Sequence, residues 1–412
     1  MRILLLNQCF HPDVMATAQQ LTSLAVCLSE RGHAVTVVTG NRGYDDPSVR
    51  FPRHEQWNGI EIQRIPSLAL GKTTRWRRAL NFFSFLVACT WRLLFSRRFD
   101  VVIALTSPPL ISVLGALLVQ LRGGRFYFWV MDLNPDEAIA AGWLKAGSWS
   151  AKLLERMLKY SLRQAEQVIA LDRFMRARLC EKGIALERIA VISPWTLNEV
   201  PAFDMAGREA FRTEHGLSDK FVVMYSGNHS PCHPLDTLLE AARALQNDHS
   251  IAFCFVGGGS EQAKVVAFAE RHRLANIRVL PYQPLAQLAG SLSAADLHGA
   301  VMGEAFVGVI HPSKIYNVLA VGAPLLYIGP EKSSIADVAR EIGSVHACYC
   351  SRHGDVEAVV AHIRTASRAP VASRDPSIAT RFSKDVIVPR LIRLLEERLD
   401  TRPEIEAAEK IA

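Results

Sequence analysis

The residues with the clearest chemical potential lie in the stretch His311–Pro324. A proline, a hydroxyl residue and a lysine follow one another at Pro312, Ser313 and Lys314. A run with helical spacing of apolar residues comes next and ends at Gly-Ala-Pro. Proline at a helix start and glycine just after its end are typical helix boundaries. The free N–H groups of the first turn, the helix dipole and the lysine charge favour a bound phosphate. We therefore predict a helix that binds phosphate, with an ordinary capped helix as the alternative.

The composition limits the class of protein. The 412 residues are 49% hydrophobic and 21% charged, which is typical of a globular chain of two or three domains. The net charge of +7 suits nucleic acid, an anionic membrane surface or phosphorylated substrates. The eight cysteines show no zinc-ligand spacing, and the N-terminal apolar run is too short for a signal peptide. We expect a reduced, cytoplasmic protein.

Strands and helices alternate along the chain in two successive series. A strand at Ile3–Leu6, a helix from about Thr17 to Arg31 and a strand at Ala34–Thr39 form a first βαβ unit. The alternation stops over 198–220, where we place an interdomain hinge, and it restarts at Phe221. This pattern predicts an α/β protein with two Rossmann-like domains facing across a cleft, and ligands at the carboxyl ends of the strands.

Neither half carries the fingerprint of a dinucleotide site. The first strand-to-helix turn, Asn7–Asp13, contains no glycine, and Gly257-Gly-Gly-Ser-Glu261 lacks the G-x-G-x-x-G order. Binding of NAD is therefore not expected.

A basic aromatic segment suggests contact with a membrane. Twelve of the sixteen residues in Leu80–Phe95 are apolar, and no acidic residue occurs between Thr73 and Phe99. Such a segment fits a helix lying in the interface of an anionic bilayer, with a helix packed on the first sheet as the alternative. The uncharged run Val101–Leu121 is interrupted by prolines, so we predict a buried strand and helix and no spanning helix. The arginines of the segment are Arg75, Arg77, Arg78, Arg92, Arg97 and Arg98.

Four ordered stretches make residues 1–395 resemble glycosyltransferase family 4, whose members have the GT-B fold, and within it the branch that builds bacterial surface polysaccharides. The Pro-Ser-Lys helix start with its Gly-Ala-Pro end is the most specific of the four. The other stretches are His11–Leu21 with Glu30–Val35, Asp132–Asp136, and Tyr225–His229 with Phe255–Gly259.

The resemblance implies a division of labour between domains. Residues 1–198 would bind the acceptor, 199–380 would bind the nucleotide-sugar, and a helix at 381–400 would pack back toward the N-terminal domain. The expected reaction is retaining transfer of a hexose or N-acetylhexosamine-type sugar, most often from a UDP-sugar. The expected acceptor is a lipid-linked saccharide or glycan in exopolysaccharide, capsule or O-antigen (lipopolysaccharide) synthesis.

The same resemblance assigns donor-binding residues, with one departure. Many relatives carry E-x7-E, and its two glutamates fall at Val309 and Asn317 here. Asn317 can bond a ribose hydroxyl without charge, and Glu304 can replace the first carboxylate, or it is a solvated loop acid. The assigned donor residues are Gly227, Asn228, His229, Gly257, Gly258, Tyr282, Pro312, Ser313, Lys314 and Asn317.

The acceptor side also departs from many relatives, because Met131 precedes Asp132 where they have histidine. Asp132 would position the acceptor hydroxyl or the donor sugar. Asp136 is an acceptor-side carboxylate or, more simply, a helix N-cap acting with Glu137. His11, Ala16 and Thr17 complete the expected acceptor site, with an ordinary loop role equally open for His11.

The expected mechanism needs no protein nucleophile. In the family the acceptor attacks the front face of the sugar, and the leaving diphosphate oxygen takes its proton. Asp132, Lys314 and Glu304 form the expected catalytic set, and His229 or Arg278 would help Lys314 to hold the diphosphate charge. We expect no metal and no cofactor beyond the nucleotide-sugar co-substrate, and a peripheral position on the inner face of the cell membrane.

Three other classes remain as alternatives. A UDP-sugar 2-epimerase of GT-B fold would need a cleft rich in acid/base groups and no membrane helix. A bilobal solute-binding protein would normally carry a signal peptide. Nucleic-acid binding would need a polar basic groove, whereas these arginines alternate with an apolar face.

Overall fold

The computed structural model describes residues 1–13, 15–43, 46, 48–68, 70, 75–196, 203–343, 346–369 and 377–397. The chain divides into two compact units. Unit 1 comprises Met1–Pro194 together with the chain from Lys384 onward, and unit 2 comprises Trp195–Ser383.

Unit 1 contains an eight-stranded sheet in the order β3-β4-β2-β1-β5-β6-β7-β8. Buried aliphatic residues pair along the parallel central strands, as where Ile3 lies beside Val35 and Val101. The β3–β4 pair is antiparallel and turns at Asn58-Gly59, both with positive φ, as a two-residue hairpin requires. The strands are β1 (Arg2–Leu6), β2 (Ala34–Gly40), β3 (His54–Trp57), β4 (Ile60–Ile65), β5 (Val101–Ala104), β6 (Arg125–Trp129), β7 (Gln167–Ala170) and β8 (Ile189–Val191).

Helices connect these strands. The helices α2, α3 and α5 form a layer, because α3 packs against both of the others. The uncharged run Val101–Leu121 is a buried strand followed by a helix, as predicted. The helices are α1 (Ala16–Glu30), α2 (Arg75–Leu94), α3 (Ile111–Arg122), α4 (Asp136–Ala140), α5 (Trp149–Gln164) and α6 (Arg173–Glu181).

Unit 2 contains a parallel six-stranded sheet in the order β11-β10-β9-β12-β13-β14. Its strands are β9 (Phe221–Asn228), β10 (Ile251–Gly258), β11 (Ile277–Leu280), β12 (Leu297–Val301), β13 (Leu325–Ile328) and β14 (Cys348–Ser351). Its helices are α7 (Met205–Glu214), α8 (Asp236–Ala244), α9 (Gln262–His272), α10 (Leu288–Ser293), α11 (Lys314–Ala320), α12 (Ser334–Ile342), α13 (Val356–Arg368) and α14 (Ser377–Thr380).

Helix α7 occupies much of the segment interpreted as a hinge from its loss of strand pattern. Asp204 caps this helix by accepting from the Gly207 N–H at 2.9 Å, and Arg208 donates to Asp296 at 2.6 Å. The helix packs on α10, so this stretch is a folded part of unit 2.

The last helix, α15 (Lys384–Glu396), packs on α1 of unit 1, as predicted. The Arg31 guanidinium donates two hydrogen bonds to the Glu396 carboxylate, at 3.2 and 3.1 Å. The Arg125 Nη2 donates to the Leu395 carbonyl at 2.8 Å, which ties the end of α15 to β6. Unit 1 is thus built from both ends of the chain.

None of the helices in the described ranges is both long and apolar enough to cross a membrane.

Candidate active site

Two glycines lie side by side at the ends of β9 and β10 in unit 2. Gly227 and Gly257 have φ values of +140° and +134°, a region that side chains disfavour. A Cβ added to Gly257 would lie 2.1 Å from the Gly227 carbonyl oxygen. Only glycine fits here, so the backbone of both strand ends is open to a ligand at the carboxyl edge of the sheet.

Lys314 begins α11 and reaches toward this edge. A Cβ on Gly227 would lie 3.2 Å from the Lys314 Cδ, so the amine chain runs over the glycine backbone. Its Nζ is buried, lies 3.7 Å from the centroid of the Tyr225 ring, and has no hydrogen-bond partner among the described residues. Burial lowers the pKa of this amine well below its usual value. The unliganded site thus disfavours the charged form of this amine, and no anion among the described residues offsets that.

His229 lies beside this amine at the start of the loop after β9. It is 0% exposed, and neither ring nitrogen has a hydrogen bond of ordinary geometry within the described chain. Burial first, and then the nearby Lys314 charge, lower the pKa of the imidazole to about 4. His229 is therefore neutral at pH 7, and one ring N–H is available to a ligand oxygen.

Two further residues complete this cluster and were missed at the sequence level. Tyr225 is fully buried and donates its hydroxyl proton to the Asn228 carbonyl at 2.8 Å. His233 is held at 2.7 Å from the Val301 carbonyl, and burial lowers its pKa well below the usual value. The aromatic residue inside β9 gave no signal that distinguishes it from an ordinary core residue.

Tyr282 extends the site along the strand ends. Its hydroxyl lies 3.3 Å from the Gly258 carbonyl, and its ring edge lies 3.0 Å from where a Cβ on Gly258 would be. The side chain is 56% exposed, so its ring offers a flat surface to a nucleobase. Asn228 lies alongside, because a Cβ on Gly259 would meet its Oδ1.

The predicted helix after Pro312 is present but short. Ser313 is its N-cap residue without a side-chain capping bond, and α11 ends at Ala320. Asn317, where many relatives have glutamate, lies one turn after Lys314 and is partly exposed. Because α11 has only seven residues, it contributes to the site more by placing Lys314 than through its helix dipole.

Two predicted residues interact with groups outside this cluster. Glu304 is exposed in a single 3₁₀ turn after β12, and its charge acts on Arg352. Arg278 lies opposite Cys254 inside the sheet and donates to the carbonyls of Ala275 and Ile277. These bonds hold one end of the Arg278 guanidinium at the start of β11, and its role toward the diphosphate stays a prediction.

Unit 1 carries a second polar cluster, at the end of β6. Asp132 is partly buried, and its N–H donates to the Thr106 hydroxyl at 3.3 Å. Burial and then the Glu137 charge raise the pKa of Asp132 to about 8, and burial also raises the pKa of Glu137. The Asn134 amide donates to Glu137 at 3.2 Å. The sequence interpretation assigned Glu137 only to a helix cap, whereas it forms an acid pair with Asp132.

The cap interpretation of Asp136 was also wrong, because the N-cap position of α4 is Pro135 and carries no side-chain bond. The Asp136 carboxylate instead forms an ion pair with Lys182 at 2.8 Å. Asp136 therefore anchors α4 to the end of α6, and any role toward an acceptor must compete with that pair.

The remaining acceptor-side residues follow β1. The His11 ring stacks on Trp57 at a centroid distance of 4.0 Å, and its carbonyl accepts from Arg64 at 2.9 Å. Ala16 is exposed and Thr17 partly exposed in the first turn of α1, and the Thr17 Oγ1 has no hydrogen bond within the described chain.

Buried Asn7, at the end of β1, was not identified as a site residue. Its Oδ1 has no hydrogen-bond partner among the described residues, and its amide donates to the Cys9 carbonyl at 2.7 Å. A polar residue directly after four apolar residues was the signal that the sequence offered.

Residues 16–195 match the glycosyl transferase 4-like domain. The chain is 26% identical to the colanic acid biosynthesis glycosyl transferase WcaI of Escherichia coli (strain K12), over 90% of this chain and 93% of the relative. It is 28% identical to the glycosyltransferase WbjE of Pseudomonas aeruginosa, over 63% of this chain and 64% of the relative. These relatives do not favour the epimerase alternative.

Solved structures show the fold. The protein HepE of Anabaena, solved with UDP and glucose, superposes with a TM-score of 0.71 at 15% identity, covering 96% of this chain and 100% of that one. WaaG, a glycosyltransferase involved in lipopolysaccharide biosynthesis, gives a TM-score of 0.66 at 15% identity, covering 96% and 99%. With its two sheets, its matched domain and these relatives, the chain has the GT-B fold and is similar to family 4 glycosyltransferases of surface-polysaccharide synthesis.

Proposed function

We propose that this glycosyltransferase takes its sugar from a nucleoside diphosphate sugar, most simply a UDP-sugar, and that unit 2 binds it at the ends of β9 and β10. The observation that carries the proposal is the buried Lys314 amine, which has no hydrogen-bond partner in the described chain. A buried amine without a counter-charge is costly, and a diphosphate would supply the charge and the acceptors.

The neighbouring groups fit the same ligand. The open backbone at Gly227 and Gly257 allows phosphate oxygens to approach, and the neutral His229 ring can donate one hydrogen bond. Tyr282 presents an exposed ring beside Gly258, on which a base would stack. HepE has been solved with UDP and with UDP-glucose, which supports a uracil nucleotide as the first ligand to test.

The proposed reaction is retaining transfer without a protein nucleophile. The acceptor hydroxyl attacks the face of the sugar from which the diphosphate leaves, the glycosidic bond to the diphosphate breaks, and the leaving oxygen takes the hydroxyl proton. Lys314 and His229 stabilise the negative charge that develops on that oxygen. Among the described residues, no group of three or more His, Cys, Asp or Glu is arranged to hold a metal ion.

Unit 1 would supply the acceptor hydroxyl. A carboxyl group with a pKa of about 8 is mostly protonated at pH 7, so Asp132 can donate as well as accept a hydrogen bond. Glu137 maintains this state by opposing ionisation of its neighbour. We assign Asp132 to positioning the acceptor hydroxyl, with Glu137 as the residue that tunes it.

A lipid-linked saccharide is the proposed acceptor, because α2 has the surface of an interfacial helix. Phe85 and Cys89 on its inner side are fully buried, whereas Trp91 is 68% exposed on the outer side. Arg77 lies over the Trp76 ring at 5.4 Å. The side chains of Arg75 and Arg78 lie outside the described part of the chain. The exposed apolar residues are Trp76, Leu80, Phe83, Val87, Trp91, Leu94 and, just after the helix, Phe95.

Replacement of Arg75, Arg77 and Arg78 by glutamate should release the protein from vesicles that contain phosphatidylglycerol. Each basic residue near such a surface contributes about 1 kcal/mol, so reversal of three charges should abolish measurable binding. Unchanged binding would show that α2 is not the interfacial helix.

The donor proposal is tested by thermal shift with UDP, GDP, dTDP, CMP and ADP. We expect one nucleoside diphosphate to stabilise the wild type and to have no effect on Lys314→Met, which keeps the length and loses the charge. Lys220→Met is the matched control, because this lysine lies just before β9, at the opposite end of that strand. Equal stabilisation of Lys314→Met would remove the diphosphate from this position, and no response to any nucleotide would remove the donor assignment.

A further inference from the structure

The exposed apolar and basic surface does not end with α2. We propose that the outer sides of α3 and α5 continue it, so that the three-helix layer of unit 1 docks on a bilayer with anionic phospholipid headgroups. This inference rests on the proposed interfacial role of α2 and enlarges it from a single helix to a surface. The sequence patterns gave no indication of α3 or α5 in this role.

The layer is continuous. The Arg122 guanidinium at the end of α3 donates to the Leu94 carbonyl at the end of α2. On the other side of α3, Gln120 accepts from the Tyr160 hydroxyl at 2.6 Å and donates to Gln164 at 3.3 Å. The outer faces of the three helices therefore adjoin one another.

Large apolar side chains remain exposed on α3 and α5. Leu121 is 73% exposed on α3, and Trp149 is 78% exposed at the start of α5. Leu117 and Leu153 lie on the same helices and are also exposed. Exposed tryptophan and leucine beside cationic groups match the acyl boundary and headgroup region of a bilayer.

The charge of the layer has one sign. The three helices contain nine basic residues (four in α2, one in α3 and four in α5) and one acidic residue, Glu155. Glu155 is already paired, because it accepts from Lys182, which it shares with Asp136, at 3.1 Å and lies 3.6 Å from Lys159. The layer thus carries a large excess of positive charge.

A basic patch on α5 concentrates this charge. It is an open depression on one face of the helix, lined by Arg156, Lys159, Tyr160, Arg163 and Gln164. Within the described residues, no carboxylate pairs with Arg156 or Arg163, whereas Lys159 lies 3.6 Å from Glu155. Trp149 lies fourteen positions before Arg163 on the same helix, about 21 Å along its axis. The first turn of α5 is thus apolar, and the arginines toward its last turn suit a phosphate group.

The sign of the charge selects the occupant. A second copy of the same surface would bring two strongly basic layers together and would be repelled. A bilayer of anionic headgroups supplies phosphates for the arginines and an acyl boundary for the tryptophan and leucine residues at the same time. We therefore commit to the lipid surface.

The experiment measures partition of the full chain onto phosphatidylcholine vesicles with and without one-third phosphatidylglycerol. The test variant is Arg156→Gln/Arg163→Gln on α5, and its control is Arg390→Gln/Arg393→Gln on α15, which packs on α1. Because each basic residue contributes about fivefold in partition, the test variant should bind about 25-fold more weakly and the control as wild type. A further variant, Leu121→Ser/Trp149→Ser, should lose the binding that persists at high salt.

Stabilisation by the nucleotide, measured on every variant, reports whether unit 2 and its site remain intact. If the α5 variant partitions onto vesicles as strongly as wild type, while the glutamate variant of Arg75, Arg77 and Arg78 no longer binds, docking is confined to α2. That result would overturn this inference. Failure of the wild type to bind vesicles, with the nucleotide response intact, would overturn the whole surface and leave the transferase function standing. Dimers that Trp149→Ser dissociates would show that a second copy occupies the surface, which also overturns it.

Discussion

The Lys314 amine lies 3.7 Å from the centre of the Tyr225 ring, in a place where no carboxylate, carbonyl or hydroxyl of the described chain reaches it. An aromatic ring stabilises an ammonium group by about 0.5–2 kcal/mol, which is less than the cost of removing that group from water. The unliganded site is therefore under electrostatic strain, and a diphosphate would relieve it.

Lys314→Met should stabilise the unliganded protein. The pKa of Lys314 is lowered in the folded state, so the unfolded chain binds more protons between that pKa and 10.5. The free energy of unfolding of the wild type should therefore rise with pH across this window, and the variant should lose that slope. We expect the Tm of the variant near pH 7 to rise by about 2–4 °C for each kcal/mol of unfolding free energy that the substitution recovers. A lower Tm for the variant, measured by calorimetry, would contradict this.

Binding of the diphosphate should take up protons. A bound dianion favours the charged amine, so nucleotide binding at pH 8, where His229 is neutral, should be coupled to proton uptake by Lys314. At pH 6 the uptake should increase as the anion also raises the pKa of His229. Isothermal titration in buffers of different ionisation enthalpy measures this uptake. Lys314→Met should abolish the pH 8 component and weaken binding about 100-fold, whereas proton uptake equal to wild type would contradict the assignment.

Asp132→Asn should change the pH dependence of stability in unit 1. Because the pKa of Asp132 is raised from 3.8 to about 8, its stabilising contribution is full below about pH 4 and is lost as pH rises toward 8. The asparagine variant should therefore be more stable than wild type at pH 8. The neighbouring Asp136→Asn should instead lose stability there, because it breaks the pair with Lys182. Denaturant unfolding at pH 5 and 8 compares them.

Glu137→Gln should lower the pKa of Asp132, since it removes a negative charge close to that carboxyl group. The alkaline limb of the kcat/KM profile, where Asp132 loses its proton, should move to lower pH while donor binding stays unchanged. An unchanged profile would show that Asp132 does not titrate in the transfer step.

Gly257→Ala should damage unit 2 severely. A Cβ at this position would lie 2.1 Å from the Gly227 carbonyl oxygen, so β9 and β10 must separate. We expect more than about 3 kcal/mol of destabilisation and loss of nucleotide binding. Gly354→Ala is the control, since its φ is also positive at +82° but nothing lies within 4 Å of an added Cβ. It should cost only about 1–2 kcal/mol of backbone strain.

The strands and their order along the chain could be predicted from the sequence where apolar runs lay between turn residues. The hairpin of β3 and β4 was missed although Asn58-Gly59 was a visible turn signal, because its first strand, His54–Trp57, is polar. Strand β12 was missed because Leu-His-Gly-Ala-Val has few β-branched residues, and its burial comes from the sheet around it. These failures reflect tertiary context that overrides local pattern.

The donor-side residues were largely predictable, since their glycines and lysine follow strand ends. What the sequence could not show is which side chain lies against Lys314, because Tyr225 is 89 positions away. Pairing of Asp132 with Glu137 was likewise hidden, since it depends on how the chain turns between β6 and α4. Residue type predicted the chemistry, while packing decided the protonation states.

The return of α15 to unit 1 also has a consequence for synthesis of the chain. Unit 2 is continuous in sequence and can fold as soon as residue 383 has left the ribosome. Unit 1 begins first but lacks its partner for α1 until 384–396 emerges, so the earlier-made unit is completed last. Until then the side of α1 that α15 covers is open to chaperones and to association between nascent chains.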